Sequence, residues 1–305
     1  MKIAIVGIGG VGGYYGGKLA LKYAASDDHE IFFIARGEHL DKIRKDGLKL
    51  ITTEGDFTAT PSLATDNPKE LGLLDLIFFC VKGYGLENAA RMIADNLHSN
   101  TVTIPLLNGV DNVERLSSIL HGGIILNGCV YISTRIAHPG VIQQTGGSCK
   151  LIFGPESGSA EPYRKIETLL KDADIKAELS ENITVGAWSK YLFVGPLAGI
   201  TSMLGKPFGA IMENEDHRTM LEEMMKEVKL IADAKGIPLP ENIIEQSLEV
   251  TSNFPYETKS SMQMDREKGN PMEVDTFIGY IVKTGKSLGV KTPLHEEMLI
   301  ILTAK

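Results

Sequence analysis

The chain changes character along its length. Through roughly the first 180 residues, short apolar runs alternate with amphipathic stretches; beyond them almost every segment has helical spacing. The runs at 2–6, 31–35 and 74–81 show little polar alternation, which is the pattern of parallel strands covered on both faces. Residues 101–107, 124–133 and 150–153 read as further strands, and the spacing predicts helices over 11–23, 84–97 and 111–120. Strands alternating with helices imply an α/β domain built on a doubly wound parallel sheet.

The second half predicts a mainly helical domain. Residues 213–235 form one long charged helix with apolar positions at Met220, Leu221, Met224, Met225, Val228, Leu230 and Ile231. Gly236 and Pro238 stop it. Residues 242–250 and 274–288 read as further helices, and the domains divide as 1–180 and 181–305. Between Glu181 and Lys206 the only charge is Lys190. Within it Val185–Leu204 is long enough to cross a bilayer, but its lysine, glycines and Pro196 favour a buried helix broken at Gly195-Pro196.

Composition narrows the picture. A net charge of −8 argues against nucleic acid as a partner, since that needs a basic face. Cys80, Cys129 and Cys149 are odd in number and form no C-x-x-C pair, so a reduced, cytoplasmic setting is expected. The start lacks the long apolar region of a secretion signal. The seven histidines show no metal-ligand spacing and no G-x-S-x-G elbow occurs, so neither a metal enzyme nor a serine hydrolase is expected.

Gly7-Ile8-Gly9-Gly10-Val11-Gly12 fits G-x-G-x-x-G. It follows a predicted strand and opens a predicted helix, the context that makes it a Rossmann dinucleotide fingerprint rather than a glycine-rich loop that binds nothing. Gly7 permits the tight turn, Gly9 lets a pyrophosphate approach the backbone, and Gly12 lets helix and sheet pack closely. The helix N-terminus offers N–H groups to the phosphates. Arg36, in Ala35-Arg36-Gly37, stands where NAD sites place an acid for the ribose 2′-hydroxyl. A guanidinium there suits a 2′-phosphate, which points to NADP(H). Lys82 and Asn108 each follow an apolar run and face the ligand crevice at a strand's carboxyl end, although turn-forming polar residues are also common there.

Read in order, these residues resemble the ketopantoate reductase (2-dehydropantoate 2-reductase) family. The glycine motif, Ala35-Arg36-Gly37, Val81-Lys82, Leu107-Asn108-Gly109, Trp188-Ser189-Lys190 and Ser260-Ser261-Met262 with Glu273 all match in order and spacing. The resemblance spans nearly the whole chain. It implies an N-terminal Rossmann-type domain with a C-terminal all-helical domain, and NADPH-dependent reduction of a 2-oxo acid in pantothenate and coenzyme A synthesis. It also implies Lys190 as general acid, Glu273 as holder of the substrate and lysine network, and Ser261 as ligand of the substrate carboxylate. Arg36 and Lys82 become cofactor contacts, and Asn108 lines the crevice for cofactor and substrate.

Chemistry supports the lysine independently. Hydride transfer builds negative charge on a ketone oxygen, which a positioned ammonium stabilises and then protonates. A lone cation in an apolar run needs a partner, or else it snorkels to water. Glu273 has a competing reading from spacing alone: Asn270-Pro271-Met272-Glu273 looks like a helix start with Glu at its third position. Ser260 and Ser261 read by themselves as loop serines. The sequence also departs from the family pattern. Val194, Ala198 and Thr258 stand where some members carry asparagines, which opens the substrate toward a more apolar 2-oxo acid. Two rivals stay open: a dehydrogenase of another 2-oxo or 2-hydroxy acid, and a non-catalytic NADP-binding sensor. The expected site is the cleft where the helical domain caps the strand ends. Its partner is a small-molecule 2-oxo acid, with no membrane, and a homodimer is the assembly the reading allows.

Overall fold

In β1 (Lys2–Val6) successive side chains enter two different cores. Ile3 and Ile5 join one; Ala4 and Val6 join the other. Phe33 against Phe32 and Ile34 divides in the same way, as do Leu76 and Phe78 against Ile77 and Phe79. The apolar runs lack polar alternation because both faces of the sheet are covered.

These strands belong to a computed structural model that describes residues 1–304. The chain divides into two units, residues 1–107 with 112–183, and residues 108–111 with those from 184 on. The first unit runs β1, α1 (Gly10–Lys22), β2 (Glu30–Ile34), α2 (Gly37–Asp46), β3 (Leu48–Thr52), β4 (Gly55–Ala59), β5 (Leu63–Thr65) and β6 (Leu74–Phe79). It continues with α3 (Leu86–Ile93), β7 (Leu97–Pro105), α4 (Asn112–Ser117), β8 (Ile124–Ile125), β9 (Asn127–His138), β10 (Val141–Gly154), α5 (Arg164–Asp172) and β11 (Lys176–Leu179). Six strands form a wholly parallel sheet in the order β5-β2-β1-β6-β7-β8. This is the doubly wound order in which the direction of winding reverses at the first strand.

A second sheet, in the order β11-β10-β3-β4 with β9 also on β10, was not legible from alternation with helices. The apolar stretch 124–133, expected as one strand, is divided between the sheets. Its first two residues, β8, finish the parallel sheet, and from Asn127 the chain enters the long antiparallel β9–β10 hairpin. The expected strand 150–153 is the end of that 14-residue β10.

Helix α1 lies between the two sheets, and its glycines explain how it fits. A Cβ on Gly12 would stand 2.8 Å from Cys80 Cβ, and one on Gly16 would stand 3.0 Å from Ile5 Cγ1, both in the parallel-sheet layer. A Cβ on Gly13 would stand 2.7 Å from Ile142 Cδ1, and one on Gly17 would stand 2.6 Å from Leu50 Cδ1, both in the second sheet. Two glycine pairs at i, i+4 spacing therefore bare two faces of one helix. Lys18, 7% exposed, extends from the same helix to Glu54 at 2.8 Å and Asp174 at 2.7 Å.

The second unit is helical among the described residues: α6 (Ile183–Leu204), α7 (Phe208–Glu213), α8 (Glu215–Ala234), α9 (Ile243–Ser252), α10 (Ser261–Glu267), a π-helical turn (Asp275–Gly279), α11 (Tyr280–Leu288) and α12 (Pro293–Thr303). Helix α6 is apolar all round, which suits the centre of a helical unit. It runs through Pro196 without the break expected there. Leu192, Leu197, Ala198 and Ile200 are all buried around the proline, so packing on every side outweighs the lost backbone bond. Among the described residues no helix is long and apolar enough to cross a membrane.

In α8 the buried stripe is Leu221, Met224, Met225, Val228 and Ile231, while Leu230 is exposed. Glu227, buried on the same helix, accepts from the backbone N–H groups of Leu294 and His295 at 2.8 and 3.1 Å and pairs with His295 Nδ1 at 2.6 Å. It thereby caps α12, whose own N-cap, Thr292, makes no side-chain cap bond.

Gly13→Val is expected to cost about 1–3 kcal/mol, because Ile142 belongs to a sheet and cannot withdraw cheaply. Gly186→Ala, where a new Cβ meets no heavy atom within 4 Å, is expected to be neutral or to stabilise by up to about 1 kcal/mol. Urea unfolding of both variants checks this; equal shifts would remove the close-packing account of α1.

Candidate active site

The glycine loop links β1 to α1 at the carboxyl edge of the parallel sheet. Gly7 has φ +96°, a left-handed conformation that favours glycine, and its N–H donates to the Ile34 carbonyl at 3.0 Å. Gly9 is the N-cap of α1, in extended conformation, and a Cβ there would meet nothing within 4 Å. No side chain caps the helix and no acid lies in its first turn. Open space over Gly9 beside an uncapped helix N-terminus fits a pyrophosphate. Ile8 is buried and Val11 half-buried. Gly10 has a different reason to be glycine: a Cβ there would stand 2.6 Å from the Thr134 carbonyl oxygen of β9.

The register places two cations on either side of this loop. β2 pairs with β1 so that Ile34 lies opposite Val6, and Arg36 follows two residues later as the exposed N-cap residue of α2. Among the described residues it makes no ion pair. β6 pairs with the other edge of β1, with Phe79 opposite Val6, and leads into half-buried Lys82. Neighbouring strands are about 4.8 Å apart, so the chain reaches both residues from strands that flank the glycine turn.

The second unit carries the acid candidates. Lys190, half-buried on apolar α6, donates to Asn108 Oδ1 at 3.2 Å. The lone cation of the sequence thus acquires a fixed acceptor from a short segment, residues 108–111, that follows β7. Trp188, Tyr191 and Tyr280 stand edge to face around the neighbouring turns, each pair of ring centroids 6.1 Å apart.

Glu273 is buried and immediately precedes the helical segment that begins at Val274. The helix start expected at Asn270-Pro271 does not form. The Asn270 N–H instead donates to the Asp265 carbonyl, finishing α10, so the capping-box reading of Glu273 does not apply. The π-turn after it widens the helix by one residue, which leaves carbonyls short of donors. The buried Tyr191 hydroxyl donates to Thr276 O at 2.9 Å and Phe277 O at 3.0 Å. Burial raises this phenol well above its ordinary value, so it remains a donor. Tyr191 was hidden in the sequence inside an apolar run.

Ser261 is exposed, at the first residue of α10. Ser260, by contrast, is not a loop serine. It is buried, caps α10 by accepting from the Gln263 N–H at 3.1 Å, and shares a 2.8 Å bond with Thr201. Its signal was present as Ser260-x-x-Gln263, a capping-box spacing.

Comparison with known proteins gives the chain a family. Residues 3–158 match the family model of ketopantoate reductase PanE/ApbA, and residues 182–305 match its C-terminal model. An uncharacterised oxidoreductase of Bacillus subtilis is 29% identical over 97% of this chain and 96% of its own length. The crystal structure of 2-dehydropantoate 2-reductase from Porphyromonas gingivalis is 33% identical, with a TM-score of 0.86 covering 100% of this chain and 99% of that one. The ternary structure of D-mandelate dehydrogenase with NADH and anilino(oxo)acetate shares the fold at 22% identity, TM-score 0.87, over 99% and 97% of the two chains. The chain belongs to the ketopantoate reductase family and is an oxidoreductase with a Rossmann-type fold.

Tyr191→Phe is expected to cost about 1–3 kcal/mol, the penalty for leaving a buried acceptor unmet. Unchanged urea unfolding would show that the widened turn needs no outside donor.

Proposed function

We propose that this protein reduces a 2-oxo acid with NADPH, with 2-dehydropantoate as substrate and pantoate as product, in pantothenate and coenzyme A synthesis. The observation that carries the reading is the Lys190 ammonium held by Asn108 within an otherwise apolar helix. The nicotinamide dinucleotide, when bound, supplies the hydride that reaches the carbonyl carbon. Lys190 donates the proton to the carbonyl oxygen, so the ketone gains one hydride and one proton and becomes an alcohol. Asn108 takes up one of the three ammonium hydrogens, which fixes the direction of the others.

Glu273 steadies the substrate and the lysine from its buried position, and Ser261 receives the carboxylate. Gly7, Ile8, Gly9, Gly10, Val11 and Gly12 receive the pyrophosphate. Arg36 pairs with the 2′-phosphate, and Lys82 meets a phosphate from the other side of the loop. One feature supports a second substrate reading. Val194, half-buried one helical turn after Lys190, offers no hydrogen bond to a hydroxylated side chain, so a more apolar 2-oxo acid also suits the site.

NADPH oxidation with 2-dehydropantoate and a panel of other 2-oxo acids decides among these. Turnover with 2-dehydropantoate alone supports the first substrate; turnover only with apolar acids moves the substrate and keeps the mechanism. NADPH binding without any turnover favours a sensor. Lys190→Ala is expected to lower kcat by about 10²–10⁴-fold with little effect on NADPH binding. Near-normal turnover would end the acid assignment. Arg36→Ala is expected to reduce the preference for NADPH over NADH by about 10–100-fold, the loss of charge-assisted hydrogen bonds to one phosphate. An unchanged preference would remove Arg36 from the phosphate site.

A further inference from the structure

Helix α6 is buried over most of its length, and the places where it is open form a pattern. Over residues 187–202 only Ser189, Lys190, Phe193 and Val194 are half-buried; the others are all buried. These four make two i, i+4 pairs side by side, so this part of the helix is open along a single strip, and Lys190 shares it with Phe193 and Val194. The Ser189 hydroxyl donates back to the Val185 carbonyl at 2.8 Å, which leaves the Lys190 ammonium as the hydrogen-bond donor of the strip. At about 1.5 Å per residue, Phe193 and Val194 stand about 4.5 to 6 Å along the axis from Lys190.

The loop between α9 and α10 adds a second ring to this strip. Phe254 stacks on Phe193 with ring centroids 5.9 Å apart and planes 15° from parallel, and Phe208 of α7 meets Phe254 edge-on at 5.4 Å. The loop is fixed at several points. The Phe208 N–H donates to the Thr258 carbonyl at 2.8 Å, and the Gly209 N–H donates to the Tyr256 carbonyl at 3.0 Å. A Cβ on Gly209 would overlap the Tyr256 ring, so glycine there lets the loop lie against α7. The end of the loop is tied to α6 by the bond between Ser260 and Thr201. Phe254 is nevertheless 40% exposed. An apolar ring that is pinned in place yet open, beside a strip that carries a cation, has the character of a binding surface rather than of a core.

We infer that Phe193 and Phe254 form the subsite for the substrate's side chain, and that this subsite selects a 2-oxo acid whose side chain is aromatic. With the keto oxygen at Lys190, an aryl group on the keto carbon lies along the strip, over Val194 and against the two rings, where offset and edge-on ring contacts are available. A hydroxylated side chain on the same strip would lose its water without gaining a partner. Phe254 is thus a specificity-determining residue that a loop brings to the acid's helix. This inference rests on the reading of Lys190 as the acid for a 2-oxo acid and takes the more apolar of the two substrates further; one substrate series separates it from that reading.

NADPH oxidation is followed with pyruvate, 2-oxobutanoate, 2-dehydropantoate and phenylglyoxylate, for the wild type and for Phe254→Ala, Phe254→Leu and Phe254→Tyr. The wild type is expected to show its highest kcat/KM with phenylglyoxylate. Phe254→Ala is expected to lower the preference for phenylglyoxylate over pyruvate about tenfold, through KM rather than kcat, the worth of part of a buried ring. Phe254→Leu, which keeps apolar bulk without the ring, is expected to lower it about threefold, and Phe254→Tyr to keep it. If Phe254→Ala does not fold, the contrast between Leu and Tyr decides. A higher kcat/KM with any of the other acids, or a KM that changes equally for every acid or for none, overturns the aromatic subsite and leaves the reading of Lys190 standing. Turnover with none of the acids overturns that reading and this inference with it.

Discussion

Helix α1 is pressed between two sheets, and it fits because two of its faces carry glycine in place of side chains. Gly12 and Gly16 meet the parallel-sheet layer, and Gly13 and Gly17 meet Ile142 and Leu50 of the second sheet. The rest of the first unit depends on this approach. The first glycines of α1 are also the end of the glycine turn after β1, so the packing that sets the helix's depth sets where its N-terminus stands. The large core around α1 combines its own Tyr14, Tyr15 and Leu19 with residues of the sheets and α5 such as Phe33, Phe78, Phe153 and Leu170.

The second sheet also reaches the glycine loop and α2. Its β9–β10 hairpin lays the Thr134 backbone over Gly10 and presents the Gly140 N–H to His39. The end of the glycine loop is therefore overlaid by a chain segment about 120 residues downstream. Glycines that look alike in the motif differ in cause: Gly7 is required by its backbone angle, Gly10 and Gly12 by close neighbours, and Gly9 by the space its lack of a side chain keeps open.

The helical unit handles its polar groups by a different rule. Four polar side chains on its helices are answered by a partner from another segment: Lys190 by Asn108, Tyr191 by the widened turn after Glu273, Glu227 by the start of α12, and Thr201 by Ser260. A buried polar group without such an answer would be costly, so these pairs determine which helix faces meet. Lys190 and Tyr191 are adjacent in sequence, so one turn of α6 carries both the candidate acid and the anchor of the segment that follows Glu273.

Much of this was legible from residue order. Local patterns declare themselves: the apolar runs without polar alternation, the glycine motif in its strand–helix context, the cation after β2, and the lone lysine in an apolar run all follow from short-range chemistry. They establish the doubly wound sheet, the helical second half and the family. What residue order alone could not decide depends on segments far apart in the chain. The second sheet arises from long-range pairing between β3 and β10. The unbroken course of α6 through Pro196 arises from packing on all sides. Asn270-Pro271 closes one helix rather than opening another because Asp265 offers its carbonyl. The partners of Lys190, Tyr191 and His39 lie 82, 85 and 101 residues away. Hydrogen bonds and core contacts of that reach carry no local periodicity, and only the folded chain brings their two ends together.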